Sequence, residues 1–256
     1  MKGDMVMKLV HVFPNDGVSV EINDKGYTIV DSDGVRTQYD IYGRRKSMYY
    51  KFYELAEVGE YVDFRPVRKD YTVSLRNSGY WTDQELYLSK VNGWRVYKNS
   101  KEGVQIISEN NVGELVISGE SGFENLLSIA AGVTQEFASS RYVISGRSLG
   151  ESVSDSLGSD CDYKNDVEYI KNNGLLLSNS SAYTLLASRE VCVIDGIPCC
   201  FAYTVDSKGN IKRFLLKQEQ FISSVRIGVR IIITLTPQIE VAKGIGTKEC
   251  PYRLLI

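Results

Sequence analysis

The sequence has 256 residues, of which 43 % are hydrophobic and 24 % are charged, and its formal net charge at pH 7 is −2. This composition is that of a globular protein with one large domain or two modest ones, and it excludes a disordered chain. The balance of acids and bases argues against a protein that binds nucleic acid by neutralising phosphates. A single histidine excludes most catalysis by imidazole, and 17 Tyr with 22 Gly favour strands joined by tight turns.

Residues 1–56 are predicted to form a small β-module of about five strands. Apolar residues at positions 18, 20 and 22 alternate with polar ones, and the same period of two recurs over residues 35–41. Clusters of Asn, Asp and Gly separate these runs at residues 14–17, 23–26 and 31–34, because such residues tolerate the positive φ angles of tight turns.

From residue 57 onward, helices are predicted among the strands, which makes the chain a strand-dominated α+β protein. One helix is predicted to begin at Ser121, which forms a capping-box pair with Glu124, and another spans residues 163–172 and stops at Gly174. The predicted strands are residues 61–64, 93–96, 104–108, 115–117, 182–187, 191–194, 201–205, 211–215, 229–235 and 252–256. Hairpin turns are predicted at Asp195-Gly196 and at residues 208–210.

The sequence indicates neither secretion nor membrane insertion. Its N-terminus lacks the apolar run of a signal peptide. The most apolar stretch, residues 225–236, contains Arg226 and Arg230 and is shorter than the roughly 20 residues that cross a bilayer. We therefore expect a soluble protein that is made in the cytoplasm and has no membrane partner. Its five cysteines lack any paired spacing and are expected to be buried thiols.

Gly146-Arg147-Ser148-Leu149-Gly150 matches the G-x-S-x-G pattern of the α/β-hydrolase nucleophile elbow. In that fold the histidine base follows the serine in the chain, whereas His11 precedes Ser148. The flanking sequence also lacks a parallel strand before the motif and a long helix after it. We therefore interpret the motif as a turn with a short helix, predict that the protein is not an enzyme, and expect no catalytic residue.

Four acidic residues could supply oxygen ligands to Ca²⁺: Asp155, Asp160, Asp162 and Asp166. Their spacing does not fit an EF-hand loop, so we favour a solvated loop with acids at a helix N-terminus. The glycines of residues 244–247 lack the Lys-Ser/Thr of a P-loop, and no nucleotide or other cofactor is expected. Whether Ca²⁺ binds the acidic cluster is left open by the sequence.

Short segments downstream of residue 57 occur in an order that resembles a family of bacteriophage and prophage proteins from Gram-positive bacteria. The matching segments are residues 58–62, 93–96, 104–108, 119–125, 146–149, 176–178, 187–188, 225–231 and 251–252. The most informative is Gly228-Val229-Arg230, which resembles the start of the Gly-Val-Arg-Pro strand of that family. Two departures are Ile231 in place of the proline and Leu176-Leu177 in place of an aromatic residue.

The resemblance implies a C-type lectin-like fold, related to formylglycine-generating enzymes, for residues 57–256. The first and last strands of that fold pair, so residues 61–64 should lie near residues 252–256. The oxidase cysteine pair of those enzymes and the calcium signature of lectins have no counterpart in this sequence. The resemblance therefore implies a non-enzymatic structural protein on the surface of a virion, which decorates the capsid or the tail.

An alternative is a receptor-binding protein that contacts glycans or proteins of the host cell surface. Tyr80, Trp81 and Tyr87 are the predicted binding surface, because loops on a rigid scaffold form binding sites and aromatic residues supply contact area. The same aromatic residues would equally form a minor core beneath the segment 73–88. In either role, the expected partners are other virion proteins, further copies of this chain in an oligomer or array, or a host ligand, with no nucleic acid.

Residues 1–56 are predicted to dock the lectin-like domain onto a larger assembly. A module of about 55 residues buries only about 60 % of its surface, so it gains stability from a neighbour. The predicted docking residues are Tyr49, Tyr50, Phe52 and Tyr53, which place large side chains on both faces of one strand. The alternative is that residues 1–56 are an integral layer of a single domain.

Overall fold

The structure is a computed structural model that describes residues 9–13, 17–43, 50–64, 72–74, 85–87, 93–112, 114–115, 141–151, 162–178, 183–216 and 227–256. Within these residues the chain forms nineteen strands and two helices, arranged in four sheets. Nearly all strand pairs are antiparallel, and the prediction of a strand-dominated α+β protein is confirmed.

The first sheet is an antiparallel meander of four strands that follow one another in the chain. Its strands are β1 Leu9–Phe13, β2 Val18–Asn23, β3 Gly26–Val30 and β4 Arg36–Tyr39. The turn between β3 and β4 is closed by the Asp31 carboxylate, which accepts hydrogen bonds from the amides of Asp33 and Val35 at 3.0 and 2.9 Å. The strands predicted from the period of two are therefore present.

The second sheet has eight strands in the order β12-β17-β10-β9-β6-β19-β18-β5. Their bounds are β5 Tyr50–Lys51, β6 Tyr61–Asp63, β9 Trp94–Ser100, β10 Gly103–Ser108, β12 Val143–Ser148, β17 Ile231–Leu235, β18 Glu240–Lys243 and β19 Tyr252–Leu255. Strand β19 pairs with β6 in parallel, with Tyr252 opposite Val62. The predicted proximity of residues 61–64 and 252–256 is thus confirmed.

The third sheet has five strands in the order β11-β16-β13-β14-β15. They are β11 Glu114–Leu115, β13 Tyr183–Ile194, β14 Ile197–Asp206, β15 Ile211–Leu216 and β16 Ile227–Val229. The single strand predicted over residues 229–235 is wrong, because the chain leaves this sheet after Val229 and enters the eight-stranded sheet at Ile231. A fourth, two-stranded sheet pairs β7 Thr72–Ser74 with β8 Glu85–Tyr87.

Helix α1 is a single turn, Phe52–Leu55, and α2 spans Asp162–Asn172, as predicted. Gly174 follows α2 with a φ of 63°, which is the left-handed conformation that commonly ends a helix. The helix predicted to begin at Ser121 lies outside the described residues. Because α1 follows directly on β5, the strand predicted through Phe52 and Tyr53 ends at Lys51.

The central strands of the eight-stranded sheet, β10 and β17, are buried on both faces, and their alternate residues belong to two different apolar clusters. Ile106 and Ile233 belong to a cluster that includes Phe52, Trp94 and Tyr252. Their neighbours Ile107 and Ile232 belong to a second cluster, formed with residues of α2 and of the five-stranded sheet. The centre of the protein is therefore a sheet between two apolar layers.

The first sheet contacts the rest of the chain through β3, β4 and the turn that precedes β4. The Gly244 amide donates a 2.8 Å hydrogen bond to the carbonyl of Gly34. The Arg36 guanidinium donates through Nε to the Gly244 carbonyl at 3.4 Å and forms an ion pair with Glu21 at 3.1 Å. Thr28, Val30 and Arg36 are buried at this contact.

Candidate functional site

Of the predicted docking residues, Tyr50 joins the N-terminal sheet to the eight-stranded sheet. Tyr50 is hydrogen-bonded through its hydroxyl to Thr28, and burial raises the pKa of Tyr50 to about 12. Phe52 is 1 % exposed and packs edge-to-face on Tyr252, with ring centroids 5.7 Å apart. Tyr53 packs partly buried against the same cluster, and Tyr49 lies outside the described residues. Docking onto a further chain through these residues stays a prediction, as does the domain boundary at residue 56.

The predicted binding surface lies mostly beyond the described part of the chain. Tyr80 and Trp81 fall outside it. Tyr87 is the last residue of β8, where its backbone pairs with Thr72 of β7. The role of these three aromatic residues therefore stays a prediction.

The first three residues of the G-x-S-x-G motif end strand β12, and the expected turn follows at Leu149 and Gly150, where Gly150 has a φ of 79°. The short helix expected beyond the turn falls outside the described residues. Strand β12 pairs antiparallel with β17, whereas a nucleophile elbow follows a parallel strand. Ser148 is 1 % exposed, and its hydroxyl has no hydrogen-bond partner among the described residues. His11 lies in β1 of the first sheet, so the two residues of the hydrolase hypothesis occupy different sheets.

Asp166, the one member of the acidic cluster whose side chain is described, is bound by an arginine. Its carboxylate accepts hydrogen bonds from Arg147 Nη1 at 2.5 Å and Nη2 at 3.0 Å, from the Tyr97 hydroxyl at 2.7 Å and from the Gly150 amide at 2.9 Å. Burial opposes its charge, but these donors and the charge of Arg147 hold the pKa of Asp166 below its usual range. These hydrogen bonds attach helix α2 to the end of β12 and the turn after it.

The other acidic residues give no calcium site within the described residues. Asp162 is the first residue of α2, and Asp155 and Asp160 lie outside the described ranges. In the described part of the chain no group of three or more His, Cys, Asp or Glu residues is placed to hold a metal ion. Of the cysteines, Cys192 and Cys250 are free thiols of intermediate exposure, so the expectation of burial is wrong for these two.

Arg230 is a structural residue for which the sequence patterns predicted no internal role. It is 1 % exposed and lies where the chain passes from β16 to β17. Its Nε and Nη2 donate to the Ser108 carbonyl at 2.8 and 2.6 Å, and its Nη1 donates to the Leu175 carbonyl at 2.6 Å. Burial lowers the pKa of Arg230 to about 9, so the guanidinium remains charged at neutral pH. The sequence feature that could have indicated this role is the position of a charged residue inside the apolar stretch 225–236.

The end of the β13–β14 hairpin carries the most exposed apolar residues of the third sheet. We call residues 191–200 the hairpin arm. In the described part of the chain, β15 pairs with β14 only as far as Cys200 and β16 pairs with β13 only at residues 183–185, so the arm continues as two strands. Val193, Ile197 and Ile194 are 70, 65 and 44 % exposed. The turn, Asp195-Gly196, has the two positive φ angles of a type I′ hairpin.

Comparison with known proteins gives no match to a family model, to a curated protein or to a solved structure. Among the described residues, no helix is both long enough and apolar enough to span a membrane.

Proposed function

We propose that the chain is a non-enzymatic structural protein of a bacteriophage virion, which decorates the capsid or the tail through protein–protein contacts. The observation that carries the proposal is the hairpin arm. At its end Ile194 and Ile197 pair across the two strands on one face and Val193 is exposed on the other, whereas exposed apolar residues of a monomeric protein are usually scattered singly. A projecting pair of strands with an apolar end suits insertion between the subunits of an assembly.

The phage context and the lectin-like fold of residues 57–256 are parts of the same proposal. Both are supported by the order of short segments along the sequence, and the fold is further supported by the pairing of β6 with β19. The non-enzymatic role is supported by the burial of Ser148 and by the use of Asp166, Arg147 and Arg230 in internal hydrogen bonds. Incubation with a fluorophosphonate probe is expected to leave Ser148 unlabelled, and stoichiometric labelling would contradict the proposal.

Mass spectrometry of purified particles tests the virion role directly. In particles of the phage or induced prophage that encodes it, the chain is expected at a fixed, high copy number. Its absence from particles refutes the virion role. The receptor-binding alternative makes a different prediction, because the isolated protein would then bind host cells or their glycans, whereas a decoration protein binds neither.

The contribution of the hairpin arm is tested by one charged substitution and a matched control. Ile197→Lys places a charge at the end of the arm, where the side chain is 65 % exposed and the monomer tolerates it. Ile144→Lys introduces the same change at a position in β12 that is 57 % exposed. Incorporation into particles is expected to fall for Ile197→Lys and to be unchanged for Ile144→Lys. Equal incorporation of both variants would exclude the arm from the contact.

A further inference from the structure

The two faces of the N-terminal sheet have the reverse of the usual polarity. One face, which we call the outer face, is formed by alternate residues of β2, β3 and β4: Val20, Ile22, Tyr27, Ile29, Thr37 and Tyr39. None of these side chains is charged. Five of the six are half-buried, and Ile22 is 44 % exposed. Tyr27 and Tyr39 stack across the strands, with ring centroids 4.9 Å apart and planes 13° apart.

The opposite face carries the polar residues of the alternation together with Val30, and this is the face that contacts the rest of the chain. Thr28 is 2 % exposed and is hydrogen-bonded to Tyr50, and Arg36 is 4 % exposed and is paired with Glu21. An antiparallel sheet with one covered face normally covers its apolar side and exposes its polar side. The outer face therefore has the uncharged, largely apolar composition of a buried surface, although none of its six side chains is fully buried.

We propose that the outer face of this sheet packs face to face on the outer face of a second copy of the chain. The contact is a two-fold symmetric β-sandwich in which β2, β3 and β4 of one copy face the same three strands of the other. This inference rests on the proposed structural role in a virion, and it specifies which surface of residues 1–56 makes the contact and with what partner.

Charge and geometry favour a second copy as the partner. In a two-fold contact every side chain meets the same surface, so a charged face would place like charges together. The outer face has no charge, and the net charge of the whole chain is only −2, so repulsion between copies is small. Two identical sheets also share the same twist, which lets them pack in the aligned arrangement of β-sandwiches, about 10 Å apart.

The size of the face determines how strong the contact is. Three strands of about five residues cover a flat area of about 250 Å². A standard stable interface buries about 800 Å² on each partner, so the outer face alone belongs to the class of weak, transient contacts. We therefore expect a dimer that dissociates in dilute solution and that is populated at the high local concentration of an assembled particle.

Sedimentation equilibrium on the full-length protein tests the inference. The mass of the wild-type protein is expected to be 28.7 kDa at low micromolar concentration and to rise toward twice that value at several hundred micromolar. Because the contact is apolar, the rise should be the same at low and high salt. Ile22→Lys is expected to weaken association by at least about tenfold, because it buries two like charges in the contact.

The matched control is Ile144→Lys, since Ile144 has the same residue type as Ile22, is 57 % exposed and lies in β12, outside both the outer face and the hairpin arm. This variant should associate like the wild-type protein. Circular dichroism and thermal unfolding of both variants establish that each is folded. A wild-type protein that stays at 28.7 kDa over the whole range, or equal weakening by both variants, overturns the proposal.

Particle composition distinguishes a failure of this inference from a failure of the proposed function. If the protein stays monomeric in solution but Ile22→Lys is lost from particles, the outer face binds a different virion protein, and the dimer is refuted while the virion role stands. If particles lack the wild-type chain, the virion role is refuted whatever the sedimentation result.

Discussion

Replacing Asp166 by Asn, which keeps the shape of the side chain and removes its charge, is expected to destabilise the protein by about 3 kcal/mol. The substitution leaves Arg147 without its anionic partner, and its amide group would bring N–H donors toward Arg147 and the Gly150 amide. Breaking a buried ion pair on one side costs about 3–5 kcal/mol. The lower end applies because the Arg147 and Asp166 side chains are still 21 and 12 % exposed.

Thermal and urea unfolding measure this effect. For a protein of this size about 3 kcal/mol corresponds to a fall in Tm of about 6–12 °C. The matched control is Glu240→Gln, which removes the acid of a 2.8 Å ion pair with Lys51 whose side chains are 32 and 37 % exposed. Such surface pairs contribute about 0–1 kcal/mol, so Glu240→Gln should unfold almost like the wild-type protein.

The pH dependence gives an independent check. The pKa of Asp166 in the folded protein lies below its usual range, so the Arg147–Asp166 pair stabilises the protein fully above about pH 4. This stabilisation is lost as the pH falls and the carboxylate is protonated. The difference between the wild-type protein and Asp166→Asn should therefore be full at pH 7 and shrink in acid. A loss of less than about 0.5 kcal/mol at pH 7 would refute the role of the pair, because surface substitutions produce changes of that size. A rise in wild-type Tm with added Ca²⁺ that is absent in Asp166→Asn would identify a calcium site instead.

Three further predictions concern other parts of the structure. Arg230→Lys keeps a buried charge but lacks the planar guanidinium that reaches the carbonyls of both Ser108 and Leu175. The free energy of unfolding should therefore fall by about 2 kcal/mol, and an unchanged urea midpoint would contradict this prediction. Burial raises the pKa of Tyr97 and Tyr252 above the ordinary value of about 10, so the unfolded chain loses these protons at a lower pH than the folded protein does. The free energy of unfolding should therefore fall between pH 9 and 11 by about 1 kcal/mol per tyrosine, and Tyr252→Phe should make this fall with pH smaller. Deletion of residues 1–43 is expected to leave the remaining chain folded, with a cooperative unfolding transition. Deletion of residues 1–55 also removes Phe52 and Leu55 from the core, where each side chain contributes about 2–5 kcal/mol, and should therefore unfold the chain. Circular dichroism distinguishes the two outcomes.

Local sequence features predicted the elements that depend on local conformation. The helix ending before Gly174 and the hairpin turn at Asp195-Gly196 are both where the sequence places them. Helix capping and turn formation require particular φ angles at one or two residues, and glycine and aspartate adopt those angles at low cost. For these elements the relevant interactions lie within a few residues of the chain.

The alternation of residues 18–22 and 35–41 established that two faces exist, but it did not show which face the rest of the chain covers. The structure covers the polar face, where Arg36 meets Gly244, more than 200 residues away in the chain. The division of one apolar run between two sheets at Arg230, and the pairing of Arg147 with Asp166, likewise depend on distant partners. Residue type and period are properties of the chain itself, and they determined the strands, the turns and the strand-dominated class of this protein. Burial and ion pairing arise only when segments far apart in sequence meet, and so only the tertiary structure decided which face of each strand is covered and which charges are neutralised.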